Sequence, residues 1–353
     1  MLNNALPYLG LLYMGGAWGL GFSLAKLAAV DGTTPIGIAF WQCVLAGLLL
    51  LIFVFFRRTK ISLSWKIIKL YLIVGLLGAA IPTTCFYYAA PKLSAGVLSI
   101  TVTLVPILTY ALALLLRTEF FSAKRVTGIL FGAISIFLLV SPENSLPPET
   151  SLIWVLLGCV SSLCYAIENI YLATRGSSDV GPIRLACGMH ISASIFLALT
   201  ANATDSFFFL EIPIGSLELI IIGMAVINAT AYALFVICIE KSGPLFASQV
   251  GYIVTLAGVF WGIIIFNESH SIWVWVSLVT MLIGLVLVSP KKDNKYSVAD
   301  LEGLILGDVI MEFLGRATVM SSRLIYAIDR TTIRKPINNE GLKTIFLNIS
   351  HWC

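Results

Sequence analysis

Between residues 6 and 290 the sequence consists almost entirely of apolar stretches, each long enough to cross a lipid bilayer as a helix. The hydrocarbon core of a bilayer is about 30 Å thick, and roughly 20 helical residues cross it. Such runs lie at about 6–28, 35–56, 70–90, 93–116, 124–142, 150–172, 184–203, 216–239, 244–266 and 271–290. Charged residues make up only 11% of the chain, which is far too few to cover the surface of a soluble globule. The sequence therefore predicts an all-α membrane protein with ten transmembrane helices.

The Lys and Arg residues in the loops predict the orientation, because positive loops stay on the cytoplasmic side. With both termini in the cytoplasm, the outer side carries only Lys26 and Lys92. The inner loops and the start of the tail then carry Arg57, Arg58, Lys60, Lys66, Lys69, Arg117, Lys124, Arg125, Arg175, Arg184, Lys241, Lys291, Lys292 and Lys295. A miscounted span would destroy this asymmetry. We therefore predict an N-in, C-in multi-pass protein of the bacterial inner membrane.

An internal repeat is visible when residues 86–122 are aligned with residues 235–271 at a shift of 149. The aligned pairs are Phe86 with Phe235, Lys92 with Lys241, Ser99 with Ser248, Glu119 with Glu268 and Ser122 with Ser271. Each half also ends with Leu-Val-Ser-Pro, at Pro142 and Pro290. Five spans per half is an odd number, so the second half must enter the membrane in the opposite direction. The predicted fold is two inverted five-helix repeats, an architecture typical of secondary transporters.

These patterns divide the chain into a first five-helix repeat at 1–142, a second at 143–290 and a short cytoplasmic C-terminal tail at 291–353. Residues 297–353 include 12 charged residues and no apolar run of membrane-spanning length. A helical stripe through Val298, Leu301 and Ile305 indicates an amphipathic helix at the membrane surface. A poorly ordered tail without a role in transport is the alternative.

The residues typical of catalysis, metal binding or nucleotide binding do not form a pattern in this sequence. The histidines, His190, His270 and His351, are too scattered for a metal site. Cys159 and Cys164 have no His or Cys companions at ligand spacing. A glycine-rich phosphate loop is also lacking, and the formal net charge of +4 gives no indication of a nucleic-acid partner. We predict no cofactor, no metal and no enzymatic activity.

Motifs in both halves resemble one known family of membrane proteins. They are Trp18-Gly19 with Phe22 and Lys26, the run from Pro106 to Glu119-x-x-Ser122, and the run from Glu240-Lys241-Ser242-Gly243-Pro244 to Glu268-x-x-Ser271. Over about residues 6–290 the chain resembles the drug/metabolite transporter superfamily in its EamA-type ten-helix form. The resemblance implies export of amino acids, related metabolites or drugs through a central cavity lined mainly by helices 1, 3, 4, 6, 8 and 9. Thr255 departs from the pattern, since a proline matching Pro106 often stands there.

Several polar and aromatic residues inside the spans are candidates for lining a substrate cavity. Polar groups within lipid must face a partner or a cavity, and Pro106 frees a carbonyl in mid-span. The candidates are Trp18, Phe22, Tyr87, Thr101, Thr103, Pro106, Tyr165, Asn169, Asn228, Gln249 and Tyr252. The alternative for each Ser or Thr is a hydrogen bond to its own helix backbone. Asn228 is equally compatible with a contact between helices.

Glu168 is a carboxylate in the cytoplasmic third of the sixth span, and His190 lies at a similar depth in the seventh. An ionisable residue within the membrane is a functional candidate by default. We predict that Glu168, with His190 nearby, binds a proton or a cationic group. The alternative is a structural contact, for example with Arg175 or Arg184. Lys26 is expected to extend its side chain to the outer interface.

The sequence as a whole favours a secondary transporter that exports amino acids or related small metabolites by alternating access. A cationic drug/proton antiporter using Glu168 is the alternative within transport. A membrane-embedded sensor or enzyme, with the tail as its output element, is the alternative of another class. The predicted partners are a small-molecule substrate and the lipid bilayer, and the sequence leaves open whether the chain forms a homodimer.

Overall fold

The computed structural model describes residues 2–29, 33–56, 64–140, 152–175, 180–211 and 213–288. Within these ranges all regular secondary structure is helical. The helices are α1 Leu2–Ala28, α2 Pro35–Phe56, α3 Trp65–Gly75, α4 Ile81–Ala89, α5 Ala95–Val102, α6 Leu104–Leu115, α7 Ala123–Val140, α8 Leu152–Arg175, α9 Pro182–Ala203, α10 Ser216–Ser248, α11 Val250–Phe266 and α12 Ile272–Val288. A π-helical segment, Leu76–Ala80, joins α3 to α4. The predicted tail at 291–353 lies outside the described residues.

Seven helical stretches in the described ranges are long and apolar enough to cross a membrane. They are Pro35–Phe56, Trp65–Ala89, Ala95–Leu115, Ala123–Val140, Leu152–Leu172, Pro182–Ala203 and Ser216–Cys238. Two shorter apolar helices follow, α11 and α12, each 17 residues long and therefore about 25 Å in length. The all-helical membrane fold is confirmed, while the count of ten spans stays a prediction.

The apolar runs 216–239 and 244–266 predict a loop at 240–243, between the eighth and ninth spans, and this prediction is wrong. The backbone of α10 stays helical through residues 240–243, and the interruption follows at Gln249. The loop was inferred from four non-apolar residues before a proline. Glu and Lys are good helix formers, so polar residues at the edge of a membrane do not by themselves end a helix.

The fourth predicted span is interrupted at Thr103, between α5 and α6. Pro106 has no N–H to donate to the carbonyl four residues earlier. Just before Pro106, the amide of Thr103 donates to the carbonyl of Ile100 at 3.2 Å, which is the tighter i to i−3 bond. In the second half Thr255 replaces the matching proline, and α11 runs through it without a break. The hydroxyl of Thr255 donates to the carbonyl of Gly251 at 2.8 Å.

Helix packing between the two halves is reciprocal. Helix α1 packs on α10 and α11, and its counterpart α8 packs on α4, α5 and α6. Helix α2 packs on α10, and the equivalent contact joins α9 to α3. Three further pairs, α2 with α9, α5 with α11 and α7 with α12, join equivalent helices of the two halves. A pseudo-two-fold exchange of the halves therefore reproduces the main helix contacts.

The interface of α7 with α12 shows this exchange at the level of single residues. The hydroxyl of Ser135 donates to the carbonyl of Ser277 at 2.8 Å, and that of Ser277 to the carbonyl of Ser135 at 2.9 Å. A Cβ added to Gly128 would lie 2.7 Å from the Gly284 carbonyl oxygen, and one added to Gly284 would lie 2.9 Å from that of Gly128. The shift of 149 carries Gly128 onto Ser277 and Ser135 onto Gly284, so the two contacts exchange as an internal repeat requires.

Replacing Gly128 with alanine is expected to destabilise the protein by about 1–3 kcal/mol, the usual cost of overpacking. The new methyl group would meet backbone atoms of α12, which cannot move aside as a side chain can. Gly21→Ala is the matched control, because nothing lies within 4 Å of its Cβ position. The measurement is the thermal midpoint in detergent, by fluorescence-detected size-exclusion chromatography. Equal midpoints for the two variants would contradict the described α7–α12 interface.

Candidate functional site

Five aromatic side chains form two sets of ring contacts, and α1 contributes one residue to each set, Trp18 and Phe22, which lie one turn apart. The ring centroids of Trp18 and Phe235 lie 5.6 Å apart in an edge-to-face contact. Those of Phe86 and Tyr165 lie 6.4 Å apart with the rings stacked, and Phe22 meets Phe86 edge to face at 5.7 Å. Phe22 is buried, while the other four are partly accessible. We call these five residues the aromatic group.

The aromatic group follows the internal repeat. Phe86 and Phe235 are aligned at the shift of 149, and Trp18 and Tyr165 occupy corresponding places in the first helix of each half. The contact of α1 with α10 therefore has its counterpart in the contact of α8 with α4. The structure brings Trp18, Phe22 and Tyr165 together from the predicted cavity residues. Phe86 and Phe235 complete the group, and repeat alignment is the sequence signal that could have added both.

Glu168 lies on α8, one turn beyond Tyr165, and only 3% of its surface is exposed. The hydroxyl of Tyr232, on α10, donates to Oε1 of Glu168 at 2.8 Å. The π-helical segment also lies against this carboxylate, since a Cβ on Gly78 would lie 2.5 Å from the carboxylate carbon. The absence of a side chain at Gly78 thus makes the space that Glu168 occupies. π-Helical turns within α-helices occur frequently at functional sites.

His190 contacts Tyr232, which in turn hydrogen-bonds to Glu168. Its Nδ1 atom lies 2.9 Å from the Ala186 carbonyl oxygen, within its own helix. Its ring meets the Tyr232 ring nearly perpendicularly, with centroids 6.3 Å apart. Tyr232 therefore lies between the two predicted ionisable residues. Tyr232 could not be chosen over other aromatic residues from the sequence, because its partners come from α8 and α9.

Tyr87 lies deeper in the protein and joins three helices. Its hydroxyl donates to Oε1 of Gln42, on α2, and lies 3.2 Å from the sulfur of Met224, on α10. Tyr87 and Gln42 are both buried. In the described conformation the Tyr87 hydroxyl thus contacts protein atoms of two other helices, and its side chain is buried.

Thr101 and Thr103 are buried in contacts between helices. Thr101 donates to the carbonyl of Leu98, and its own carbonyl accepts a hydrogen bond of 2.8 Å from Ser162. Thr103 shares a hydrogen bond with Thr255 of α11, and its hydroxyl also lies 3.1 Å from the carbonyl of Ser99. These contacts join α5 to α8 and to α11 in the described conformation.

The other predicted cavity residues are spread over three places. Pro106 follows the interruption at Thr103, while Gln249 and Tyr252 lie where α10 gives way to α11. Asn169 follows Glu168, and Asn228 lies one turn before Tyr232. Each of these five residues is partly accessible. Asn169 shares the Tyr165 face of α8, and Asn228 shares the Tyr232 face of α10, because residues four apart on a helix are neighbours.

A second polar cluster lies at the end of the bundle that carries Lys26. The Lys26 ammonium is 3.0 Å from Oε1 of Glu268, so this side chain is in an ion pair instead of simply extending to the interface. The amides of Ala95 and Gly96 donate to the same carboxylate at 2.9 and 3.4 Å. Nε2 of His270 lies 3.7 Å from Oε2 of Glu268. We call Lys26, Glu268, His270 and these two amides the Lys26 cluster.

One family model matches both halves of the chain. A model of the EamA-like transporter family matches residues 5–141 and again residues 152–289. These two matches cover most of the chain, which therefore belongs to the EamA-like transporter family and carries two copies of its repeat. The predicted resemblance is confirmed, and the chain is a multi-pass membrane protein of a transporter family.

Individual relatives are distant. The chain is 24% identical over 273 residues to WAT1-related protein At1g43650 of Arabidopsis thaliana, covering 70% of this chain and 78% of that protein. It is 23% identical over 178 residues to an uncharacterized transporter of Archaeoglobus fulgidus, covering 50% of this chain and 61% of that protein. A solved crystal structure is similar with a TM-score of 0.56 at 14% identity, covering 82% of this chain and 98% of the other. At that identity the likeness shows the fold alone.

The contact of Gly78 with Glu168 can be tested by a double-mutant cycle. Gly78→Ala is expected to destabilise the protein, because the new methyl group displaces the carboxylate from Tyr232. In a Glu168→Ala background the same change should cost little. The expected coupling in thermal or denaturant unfolding is about 0.5–3 kcal/mol. Gly223→Ala, with nothing within 4 Å of its Cβ position, is the control and should show no coupling. Additive effects of Gly78→Ala and Glu168→Ala would count against the described contact.

His270 should make the stability of the protein depend on pH. Burial, followed by the positive charge of Lys26, lowers its pKa from the usual 6.5, although Glu268 acts in the opposite direction. The folded protein therefore binds fewer protons at this site than the unfolded chain. The stabilisation is complete above pH 6.5 and is lost as the pH falls below it. Between pH 7.5 and about 5.5, the thermal midpoint should fall more in the parent protein than in His270→Gln. Parallel pH profiles would show that His270 is not held neutral.

Proposed function

We propose that this chain is a secondary transporter that moves amino acids or related small metabolites outward across the bacterial inner membrane. It works by alternating access, with two inverted five-helix halves that rock against each other around a central site. The observation that carries the proposal is the aromatic group, which lies at the contacts between the halves, with the buried carboxylate of Glu168 one helical turn away. Substrate sites of inverted-repeat transporters lie at this kind of interface.

The proposed topology has ten spans, with both termini in the cytoplasm. Helix α1 has 27 residues, enough for a span, and α11 and α12 are shorter apolar helices. Together with the seven longer stretches they make ten membrane crossings. Five crossings in each half, 1–142 and 143–290, give the two halves opposite orientations. The reciprocal helix contacts and the double family match support this division.

The aromatic group and its polar neighbours form the proposed substrate site. Partly accessible rings offer flat apolar surface to a metabolite, while Asn169, Asn228 and Gln249 can hydrogen-bond its polar groups. Thr101, Thr103 and Tyr87 support this site from within the helix contacts that they make. Pro106, Tyr252 and the interruptions next to them allow the fourth and ninth spans to bend during the cycle.

Glu168 is the proposed site for a proton or a cationic group of the substrate. A carboxylate in an apolar interior gains stability from a proton or from a bound cation. Tyr232 positions the carboxylate through its hydrogen bond, and His190 supports the Tyr232 ring. An amino group of a substrate and a proton would then compete for Glu168, which couples their movements.

A cationic drug/proton antiporter is the second candidate. The observation that favours it is the position of Glu168 between two tyrosines, Tyr165 on its own helix and Tyr232 across from it. A carboxylate flanked by aromatic rings suits a flat organic cation, through charge and cation–π attraction. A sensor or enzyme role would rest on residues 297–353, which lie outside the described ranges.

The proposal is tested by efflux from cells that overexpress the full chain and are loaded with amino acids and related metabolites. The Glu168→Gln variant should lose at least about tenfold in rate at equal membrane expression, as expected when a coupling group is removed. Glu119→Gln is the matched control, because Glu119 is half exposed and pairs with Arg125 on the surface. It should transport at the parent rate.

The outcomes of this experiment separate the candidates. Metabolite export is supported if cells with the parent chain release one metabolite class selectively and cells with Glu168→Gln do not. Efflux of ethidium, a permanently charged aromatic cation, without metabolite efflux supports the antiporter instead. Equal efflux from Glu168→Gln and the parent would exclude the role of Glu168, and efflux equal to that of empty cells for every compound would contradict transport by this chain.

A further inference from the structure

The Lys26 cluster connects the two halves of the protein at one end of the bundle. Lys26, at the end of α1, and the first residues of α5 belong to the first half. Glu268 and His270 belong to the second half, in the segment between α11 and α12. Every polar contact of the Glu268 carboxylate with Lys26, Ala95 and Gly96 therefore crosses from one half to the other.

The Glu268 carboxylate is buried among groups of complementary charge. Only 7% of its side chain is exposed, and the Lys26 ammonium at 3.0 Å supplies the opposite charge. The two α5 amides lie at the N-terminus of that helix, where the helix dipole favours an anion. Lys26 is fixed in turn by the ring of Phe266, whose centroid lies 4.8 Å from its nitrogen.

Two glycines make room for this arrangement. A Cβ on Gly262 would overlap the Glu268 carboxylate, and one on Gly96 would lie 2.9 Å from Nε2 of His270. That nitrogen is buried and has no hydrogen-bond partner among the described residues. The imidazole thus fills the space beside the carboxylate and excludes water from it.

Helices α5 and α11 remain in close contact beneath the cluster. The Ser99 hydroxyl lies 3.0 Å from the Thr255 carbonyl oxygen, and a Cβ on Gly258 would lie 2.8 Å from the Ser99 oxygen. One turn further along, Thr103 and Thr255 share a hydrogen bond. The described conformation is therefore closed at this end, from the ion pair inward through two helical turns.

The repeat-equivalent position at the other end behaves differently. Glu119 aligns with Glu268, yet its side chain is 50% exposed. Its partner is Arg125 of α7, at 3.1 Å, which belongs to the same half. Of these two repeat-equivalent carboxylates, Glu268 thus joins the two halves, while Glu119 pairs within its own half. A transporter with an inverted repeat breaks its symmetry in this way when one end is closed.

We propose that Lys26, Glu268 and the N-terminus of α5 form a gate whose ion pair must separate each time the transporter opens at this end. The inference rests on the proposed function, because a gate has a role only in a protein that alternates its access. Glu268 is its central residue, since it joins α1, α5 and the segment after α11. The predicted orientation places the gate on the outer side of the membrane.

Labelling of a buried cysteine beneath the gate tests this proposal without any substrate. Ser99→Cys introduces a small, similar side chain at a fully buried position directly below the cluster. The reagent is a membrane-impermeant methanethiosulfonate, applied to right-side-out and to inside-out vesicles that contain the full chain. The parent chain with its seven native cysteines is the blank, and Thr255→Cys on α11 is a second reporter.

The expected result is a graded increase in the rate of labelling. Adding Glu268→Gln should raise it about tenfold, since a population shift of that size follows from losing the ion pair. Lys26→Gln should raise it less, because the α5 amides still hold the carboxylate. Glu119→Gln should leave it unchanged. The increase should appear in one vesicle orientation only, and right-side-out vesicles would place the gate outside.

Three results would overturn the gate. Unchanged labelling in Glu268→Gln, at both reporters and in protein that elutes as a single species, would show a purely structural cluster. An equal increase in Glu119→Gln would show general loosening of the bundle. Labelling from both sides at once would show a leak rather than a gate. If instead labelling responds as expected while none of the tested compounds is transported, the ion pair controls access at this end and the proposed substrate class fails.

Discussion

The structure depends on one constraint: lipid offers no hydrogen bonds, so each polar group within the membrane needs a partner in the protein or in a cavity. The hydroxyls of Ser135 and Ser277 meet this requirement by donating to each other's backbone carbonyls. Ser162 meets it by donating to the carbonyl of Thr101 on a neighbouring helix. Such bonds require helices to approach closely, and glycines such as Gly128 and Gly284 permit that approach. The need to pair each hydroxyl with a hydrogen-bond partner, together with the small residues that let helices approach, thus determines which helices pack against each other.

The reciprocal contacts explain how a nearly symmetric bundle can support an asymmetric state. The α7–α12 interface exchanges residue for residue when the halves are exchanged, so it contributes no asymmetry between them. The carboxylates of Glu119 and Glu268 break the symmetry, because only the second crosses between the halves. Polar contacts at the two ends of the bundle therefore make the described conformation asymmetric, although the helix contacts follow the repeat.

The helices could be predicted from the sequence because hydropathy is a local property of about 20 consecutive residues, and the family could be predicted from motifs that recur in both halves. The course of α10 could not, because the run at 240–243 is polar and yet composed mostly of residues that tolerate a helix. Glu168 was identified since a carboxylate is conspicuous in an apolar run. Tyr232 and Gly78 were missed because their roles depend on which helices lie beside α8, and one sequence does not contain that information. Lys26 illustrates the same limit, since its partner Glu268 lies 242 positions away.

The two buried carboxylates have different environments, and these suit different tasks. Glu268 faces an ammonium and the two backbone amides at the N-terminus of α5, so its charge is already balanced and its displacement disrupts several contacts at once. Glu168 accepts a hydrogen bond from a neutral hydroxyl, in a space that a glycine leaves open. A charge that a neutral donor stabilises only partly can still gain from a proton or an ammonium group. The first environment therefore favours holding two halves together, and the second favours binding and releasing a cation.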